Sequence, residues 1–277
     1  MLVDGKKIVA HIYEDIKSDL ENLTGHPCLC VITCAPNAET KKFLELKKKR
    51  AMDLGIDVLL TELDPSTTTE EVVRTIEAAV DTAEGIVVQL PFPPHIDTGK
   101  ILSVVPKRLD VDAISYRGEK TDILPPVVGA IAAIAREHDV DFSDQRVVVV
   151  GRGRLVGQPA AFWASAENAA VTVLDRDTPN ADEILRQADI IISGAGVPGL
   201  ITPDKIKDGV IIFDAGTSEE GGQIKGDADP ACADKAALFT PVPGGIGPIT
   251  IAVLLRNLVL LTEVCSKTET WNPEPKL

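Results

Sequence analysis

The amino-acid sequence predicts an α/β protein built on parallel sheets with helices on their faces. Segments in which apolar residues recur at helical spacing alternate with short apolar runs that are typical of buried strands. This alternation starts near the N-terminus and starts again after the pair Pro125-Pro126, which indicates two α/β units. With 277 residues, 44% of them hydrophobic, the chain is long enough for one or two packed domains.

The first unit is predicted to contain three helices and three strands. Apolar residues at helical spacing, such as Ile8, Ile12 and Ile16, predict a helix at the start of the chain. Gly55 is expected to end the second helix, because glycine readily adopts the backbone conformation that follows a helix. The predicted helices cover residues 8–23, 39–54 and 67–83, and the predicted strands cover residues 28–33, 56–63 and 85–90.

The second unit is predicted to begin with a helix over residues 128–138 and to end with a long apolar helix over residues 248–262. Apolar runs rich in Val and Ile between these helices predict strands. The predicted strands cover residues 146–151, 171–175, 190–193, 210–214 and 238–239. Residues 268–277 carry two prolines and several charges, so we expect a loosely held tail.

The overall charge argues against nucleic acid as a partner. Lys and Arg total 28 against 42 Asp and Glu, so the formal net charge is −14, whereas nucleic-acid-binding proteins usually carry a basic surface. No apolar run near the roughly 18 residues that span a bilayer is apparent, and the first residues are too charged for a signal peptide. We therefore expect no membrane partner and a cytoplasmic location.

The cysteines are expected to be buried free thiols in a reducing compartment. Their number is odd, and the spacing of the first three matches no common zinc signature, so no metal site is predicted. The five cysteines are Cys28, Cys30, Cys34, Cys232 and Cys265.

A glycine-rich turn follows the strand at Val147-Val148-Val149-Val150 and leads into a helix that is expected to open at Pro159. Glycines in such a turn let backbone amides approach a pyrophosphate, and the helix N-terminus adds favourable partial charge. A tight strand-to-helix turn also needs glycine for its own sake, but the flanking strand favours dinucleotide binding. The predicted cofactor-binding residues of this turn are Gly151, Arg152, Gly153, Val156 and Gly157.

Two features of the next strand bear on the choice between NAD and NADP. Asp175 ends that strand 24 residues after Gly151, where a carboxylate typically accepts hydrogen bonds from ribose hydroxyls and favours NAD. Arg152 and Arg176 favour NADP, since a guanidinium pairs well with a 2′-phosphate. Both cofactors therefore stay open on these residues alone.

Polar residues of the first unit also lie where open α/β sheets bind ligands. Gln89 ends a strand, and Asp110 and Asp112 follow in a later loop. Phe43 and Lys47 share one face of the second helix, which by itself is typical of a solvated basic helix. These residues alone indicate a nucleotide-dependent enzyme of unknown substrate.

Four segments of the chain form a specific set of motifs. They are Val88-Gln89-Leu90-Pro91-Phe92-Pro93, Asp110-Val111-Asp112, the turn from Gly151 to Pro159, and Thr240-Pro241-Val242-Pro243-Gly244-Gly245-Ile246-Gly247-Pro248-Ile249-Thr250. In this order they resemble the methylenetetrahydrofolate dehydrogenase/cyclohydrolase family, and the resemblance extends over nearly the whole chain. It implies a three-layer α/β folate-binding domain, residues 1–122 completed by a C-terminal helix at 248–267, facing a Rossmann domain, residues 123–247, across a cleft.

The resemblance implies oxidation of 5,10-methylenetetrahydrofolate to the methenyl form with NADP, or alternatively NAD, followed by hydrolysis to 10-formyltetrahydrofolate by a homodimer. Lys47 would then manage proton and water chemistry, Gln89 would position Lys47, and Asp112 would hold the pterin. Thr250 would contribute to the cofactor site. The implied substrate-binding residues are Phe43, Leu90, Pro91, Pro243, Gly244 and Gly245.

The chain departs from the family pattern at Phe43 and at several other places, among them the loop after Asp112, which is shorter, and Gly151-Arg152-Gly153, where the family has G-R-S. Phe43 stands where the family has a Tyr, four residues before Lys47. The segments 124–129 and 174–178 also differ from the family motifs for substrate and 2′-phosphate. Two alternatives therefore remain, an enzyme with dehydrogenase activity only and a folate- or nucleotide-binding relative without catalysis.

Overall fold

The computed structural model describes residues 1–23 and 25–269, and it confirms the predicted α/β class. The chain forms two compact units. The three-stranded unit comprises Ile12–Ile114 and the chain from Leu254 onward, and the five-stranded unit comprises Met1–His11 and Ser115–Val253.

The three-stranded unit has a parallel sheet in the order β2-β1-β3, so β1 lies at its centre. The carboxyl ends of these parallel strands meet at one edge of the sheet, where ligands usually bind. The strands are β1 (Cys28–Cys34), β2 (Asp57–Leu63) and β3 (Gly85–Val88), and the helices are α1 (Gly5–Glu21), which belongs to this unit from Ile12 onward, α2 (Ala38–Asp53), α3 (Thr69–Ala79) and α4 (Thr98–Ser103).

Local sequence signals set the ends of α2 and α3. The side chain of Asn37 accepts a hydrogen bond from the backbone N–H of Thr40 at 2.8 Å and so caps the start of α2. Gly55, with a φ of +75°, follows the end of α2 as predicted. Thr68 and Glu71 form a reciprocal capping box at the start of α3.

The five-stranded unit has an all-parallel sheet in the order β10-β7-β6-β4-β5 and a separate hairpin of β8 and β9. Helices cover the strands, which is why they read as continuous apolar runs. The strands are β4 (Arg146–Val150), β5 (Ala170–Leu174), β6 (Ile190–Ser193), β7 (Ile211–Asp214), β8 (Ser218–Glu220), β9 (Gln223–Lys225) and β10 (Leu238–Phe239), and the helices are α5 (Pro126–Glu137), α6 (Gly157–Ala166) and α7 (Ala181–Gln187). The last helix, α8 (Ile246–Glu269), begins in this unit, and its residues from Leu254 onward belong to the three-stranded unit.

The main elements agree with those predicted from the sequence, whereas two short helices and a hairpin were not predicted. The helix α6 begins at Gly157, two residues before the predicted opening at Pro159. Neither α4, α7 nor the hairpin was predicted, because these elements are short and partly exposed and show little periodicity. The predicted tail at 268–277 lies almost entirely outside the described residues.

The expectation that no apolar run approaches the length of a membrane span was wrong for α8. Its stretch Ile246–Val264 is long and apolar enough by length and composition, and it passed unnoticed because Arg256 and Asn257 interrupt it. More than half of this stretch is buried inside the protein, as in the core helix of a globular domain.

Candidate functional site

Lys47 is a buried lysine in the middle of a basic helix. Its residue surface is only 4% exposed, whereas its neighbours Lys48 and Lys49 on α2 are exposed. Its Nζ donates a hydrogen bond to Oε1 of Gln89 at 2.8 Å and lies 5.0 Å from the centre of the Phe43 ring. The structure therefore excludes the interpretation of Lys47 as a solvated surface charge and brings together three of the predicted site residues.

Gln89 is held so that its carbonyl oxygen faces the lysine. It directly follows β3, and its backbone N–H donates to the carbonyl of Ile32 at 2.8 Å. Its side-chain Nε2 donates to the carbonyl of Leu90 at 3.1 Å, which leaves Oε1 as the atom that accepts from Lys47. The peptide bond between the next two residues, Leu90 and Pro91, is cis.

Burial and the charge of Asp112 shift the pKa of Lys47 in opposite directions. Burial lowers the pKa of Lys47 from its usual 10.5, because a charged ammonium is poorly solvated there, and the nearby charge of Asp112 raises the pKa. Burial likewise raises the pKa of Asp112 above 3.8, with Lys47 opposing the shift. Lys47 therefore loses its proton more easily than a surface lysine does, and its charge interacts with that of the Asp112 carboxyl group.

The loop that carries Asp112 is fixed from two sides. Oδ2 of the buried Asp110 accepts a hydrogen bond from the backbone N–H of Ile114 at 2.8 Å. The side chain of Asn257, on α8, donates from Nδ2 to the carbonyl of Val111 at 2.9 Å. Asn257 was missed by the sequence analysis, although a polar residue in the middle of an apolar helix is a signal for a specific contact.

The glycine-rich turn of the five-stranded unit is tight and requires glycine at two positions. Gly151 follows β4 with a φ of +102°, a conformation that favours glycine, and Gly157 begins the ten-residue helix α6. A Cβ atom on Gly157 would overlap the carbonyl of Gly151, so the turn is also closely packed. Backbone amides and the N-terminus of α6 could therefore hold the phosphates of a dinucleotide.

Asp175 is paired with Arg152, although they lie 23 residues apart in sequence. The Nε of Arg152 lies 2.6 Å from Oδ2 of Asp175. Oδ1 of Asp175 accepts a hydrogen bond from the hydroxyl of Thr178 at 2.7 Å. This hydrogen bond has the largest effect on the pKa of Asp175 and lowers it. Partial burial raises the pKa, and the contact with Arg152 lowers it further. Arg176 is exposed, and it is Arg152 that forms the ion pair with Asp175.

The remaining predicted residues also lie in the five-stranded unit, whereas Lys47 and its partners lie in the three-stranded unit. Gly245 is buried, and a Cβ there would come within 2.7 Å of the carbonyl of Pro241. Pro243 and Gly244 are exposed, with a φ of +106° at Gly244. The hydroxyl of Thr250 donates to the carbonyl of Ile246 at 3.1 Å.

No group of three or more His, Cys, Asp or Glu side chains among the described residues could hold a metal ion. The four cysteines whose side chains are described, Cys28, Cys30, Cys34 and Cys232, are free thiols. The side chain of Cys265 lies outside the described part of the chain.

Comparison with known proteins shows which family shares this arrangement. Residues 3–112 match the model of the tetrahydrofolate dehydrogenase/cyclohydrolase catalytic domain, and residues 125–266 match that of the NAD(P)-binding domain of the same family. A relative named bifunctional protein FolD from Lactobacillus gasseri is 33% identical over 274 residues, which cover 94% of this chain and 97% of the relative.

Solved structures give the same result. The bifunctional methylenetetrahydrofolate dehydrogenase/cyclohydrolase FolD of Campylobacter jejuni superposes with a TM-score of 0.91 at 33% identity, covering 96% of this chain and 99% of that one. The FolD of Trypanosoma brucei, in complex with NADP and an inhibitor, gives a TM-score of 0.89 at 31% identity, covering 96% and 98%. The chain belongs to the tetrahydrofolate dehydrogenase/cyclohydrolase family.

Proposed function

We propose that this protein oxidises 5,10-methylenetetrahydrofolate to 5,10-methenyltetrahydrofolate with NADP and then hydrolyses the product to 10-formyltetrahydrofolate. The observation that carries the proposal is the buried Lys47 with Gln89 as its acceptor at 2.8 Å, inside a chain that matches both family domains. The relatives named as bifunctional match it over more than nine tenths of its length.

In the hydrolytic step Lys47 acts as the base. Its lowered pKa makes the neutral amine easier to form than in a surface lysine, and that amine would donate one N–H to Gln89 and keep its lone pair for a proton of water. The water oxygen bonds to the bridging carbon of the cationic substrate while Lys47 takes one of the two water protons. Lys47 returns that proton to the ring nitrogen whose bond to the carbon breaks, and the remaining hydroxyl proton is released to solvent as the formyl C=O forms. Gln89 orients the amine and takes no proton.

In the oxidative step the protein mainly aligns the reacting groups. When bound, NADP supplies the acceptor for the hydride. Asp112, half-buried in its fixed loop, would hold the pterin through paired hydrogen bonds, and the turn from Gly151 to Gly157 would hold the phosphates of the cofactor. The leaving hydride yields a cation stabilised by two nitrogens, so no strong base is required.

We propose NADP over NAD because Arg152 is paired with Asp175, the residue that is expected to lie beside the ribose. Its guanidinium is already oriented by Asp175 and is more than half exposed, so its free N–H groups could pair with a 2′-phosphate. The carboxylate of Asp175 is engaged by Arg152 and Thr178 and is thereby less free to bind ribose hydroxyls.

Three further assignments belong to this proposal. Residues 1–122 with the helix at 248–267 would form the folate domain, and residues 123–247 would form the cofactor domain. The protein would act in the cytoplasm, which the free thiols support because reducing compartments preserve them. It would be a homodimer, which light scattering tests directly.

An absorbance assay of methenyltetrahydrofolate tests the function. Its formation should require NADP or NAD, and its disappearance should be faster than the uncatalysed hydrolysis. Lys47→Met should abolish catalysed hydrolysis and leave cofactor binding intact, whereas the matched Lys48→Met on the exposed face should retain both. Parental hydrolysis in Lys47→Met would contradict the assigned role.

The same assay separates the alternatives. Formation of the methenyl compound without catalysed hydrolysis would identify an enzyme with dehydrogenase activity only. Absence of both activities, with folate or nucleotide still bound, would identify a binding protein. These outcomes need to be distinguished because Phe43, which lies beside Lys47, lacks the hydroxyl of the tyrosine that the family has at this position.

A further inference from the structure

Two carboxylates are buried at the carboxyl edge of the five-stranded sheet. Asp214 is the last residue of β7, Asp227 follows the hairpin of β8 and β9, and each is 1% exposed. A buried carboxylate lowers the stability of a protein unless hydrogen-bond donors surround it. Neither residue takes part in the chemistry proposed above, so their burial requires another explanation.

Asp227 binds one loop at three points. Its Oδ2 accepts from the hydroxyl of Ser193 at 2.6 Å and from the backbone N–H of Ala195 at 2.7 Å, and its Oδ1 accepts from the N–H of Val197 at 2.7 Å. Ser193 is the last residue of β6, and residues 194–197 are the loop that follows it. A single carboxylate therefore fixes the path of the chain as it leaves this strand.

This loop packs directly against the glycine-rich turn. The N–H of Gly194 donates to the carbonyl of Val150 at 2.9 Å, and the carbonyl of Gly194 lies 2.9 Å from where a Cβ on Gly151 would stand. A Cβ on Gly194 itself would overlap the side chain of Val156. Because no space separates the two segments, a displacement of the loop displaces the turn.

Asp214 holds Asp227 in turn. Its Oδ1 accepts from the N–H groups of Gly216 at 2.9 Å and Asp227 at 3.2 Å, and its Oδ2 accepts from Ala228 at 2.8 Å. A Cβ on Gly216 would overlap the carboxylate of Asp227, and one on Gly226 would overlap that of Asp214. Glycine at both positions is therefore what allows the backbone to approach the two acids.

We propose that Asp227 is a positioning residue of the dinucleotide site. By holding residues 194–197 against the turn from Gly151 to Gly157, it keeps the backbone amides of the turn in the geometry that binds the pyrophosphate. This inference rests on the proposed nicotinamide cofactor. It predicts that Asp227 affects the affinity for cofactor although both of its carboxylate oxygens are engaged by donors of the protein itself.

The test is Asp227→Asn, which keeps the size of the side chain but places an NH₂ group opposite backbone N–H donors. The dissociation constant of NADP, measured by calorimetry on the folded full-length protein, should rise about tenfold or more. The KM for NADP should rise with it, while kcat at saturating NADP changes little. The matched control is Asp229→Asn, whose carboxylate caps the short helical turn at Ala231 and does not contact the loop.

Ser193→Ala provides a second variant, since it removes one of the three donors and should raise the dissociation constant about fivefold. This variant decides the question if Asp227→Asn does not fold. Parental affinity in the folded variants would overturn the inference, as would an equal loss in Asp229→Asn. A parent protein that binds neither NADP nor NAD would instead refute the proposed function.

Discussion

Replacing Gln89 by Leu tests whether Lys47 works as a base whose protonation is set by its surroundings. Leu fills a similar volume but cannot accept the hydrogen bond that Lys47 Nζ donates at 2.8 Å. A hydrogen bond from a charged group contributes about 1.5–3 kcal/mol and a neutral one about 0.5–1.5 kcal/mol, so the ammonium loses about 1–1.5 kcal/mol more than the neutral amine. The ratio of neutral to charged Lys47 at a fixed pH should therefore increase about fivefold to twelvefold.

The assay is the pH profile of methenyltetrahydrofolate hydrolysis, corrected for the uncatalysed rate. A neutral amine is the active form, so the rate of the parent enzyme rises with pH through the pKa of Lys47, and the Gln89→Leu profile should lie at lower pH. The maximal rate should also fall, because the amine is no longer oriented. The test depends on the pH at which the rate rises and not on the maximal rate.

Gln89→Glu provides the opposite perturbation. A carboxylate beside Lys47 favours the ammonium, so this variant should move the profile to higher pH. Profiles that stay at the parental position in both variants would refute the assignment of Lys47 as the titrating base. A shift to higher pH in Gln89→Leu would refute the account of Gln89 as a stabiliser of the charged form.

Three other substitutions give separate predictions. Phe43→Tyr should accelerate hydrolysis several-fold by returning a hydroxyl beside Lys47 and should change the dehydrogenase rate little, and an equal rise of both rates would contradict this. Arg152→Ala should lower kcat/KM for NADP at least about tenfold more than for NAD, and an equal loss would exclude contact with the 2′-phosphate. Burial raises the pKa of Asp214 from 3.8 to about 6, so the folded protein holds a proton there that the unfolded chain has already lost, and its free energy of unfolding falls by up to about 3 kcal/mol as the pH rises through this interval. Urea titrations across this interval should show that Asp214→Asn lacks this dependence, and identical pH dependence in both proteins would refute the origin at Asp214.

The larger elements of the fold could be predicted because burial on both faces leaves a clear pattern. The runs Val147-Val148-Val149-Val150 and Ile190-Ile191-Ile192 lie in β4 and β6 and are fully enclosed. The hairpin Ser218–Glu220 with Gln223–Lys225 carries mostly exposed polar side chains, so nothing in its composition separates it from a loop. Its pairing depends on the glycines between the strands and on contacts that spacing does not reveal.

The burial of Lys47 could have been read from its own helix. Leu44 and Ala51 are buried on α2, and Lys47 lies three residues after the first and four before the second, on the same stripe of the helix. The surrounding lysines hide this pattern, because a run of basic residues usually indicates a solvated face. The partner Gln89 lies 42 residues away, and only the pairing of parallel strands brings it to the same edge of the sheet.

Asp227 and Lys47 are both buried polar residues, but they differ in how many hydrogen bonds they make with the rest of the protein. This difference matches their proposed roles. Asp227 receives three donors from one loop, so its oxygens are committed to geometry. Lys47 gives one hydrogen bond, to Gln89, among the side chains that the structure describes, although an ammonium has three donors. The donors that Lys47 keeps, or the lone pair that replaces one of them after proton loss, are what water and substrate can use. The sequence pattern places Lys47 on a helix face and Asp227 near a strand. The number of hydrogen bonds that each side chain makes within the protein is what separates Asp227, which holds a loop, from Lys47, which is proposed to move a proton.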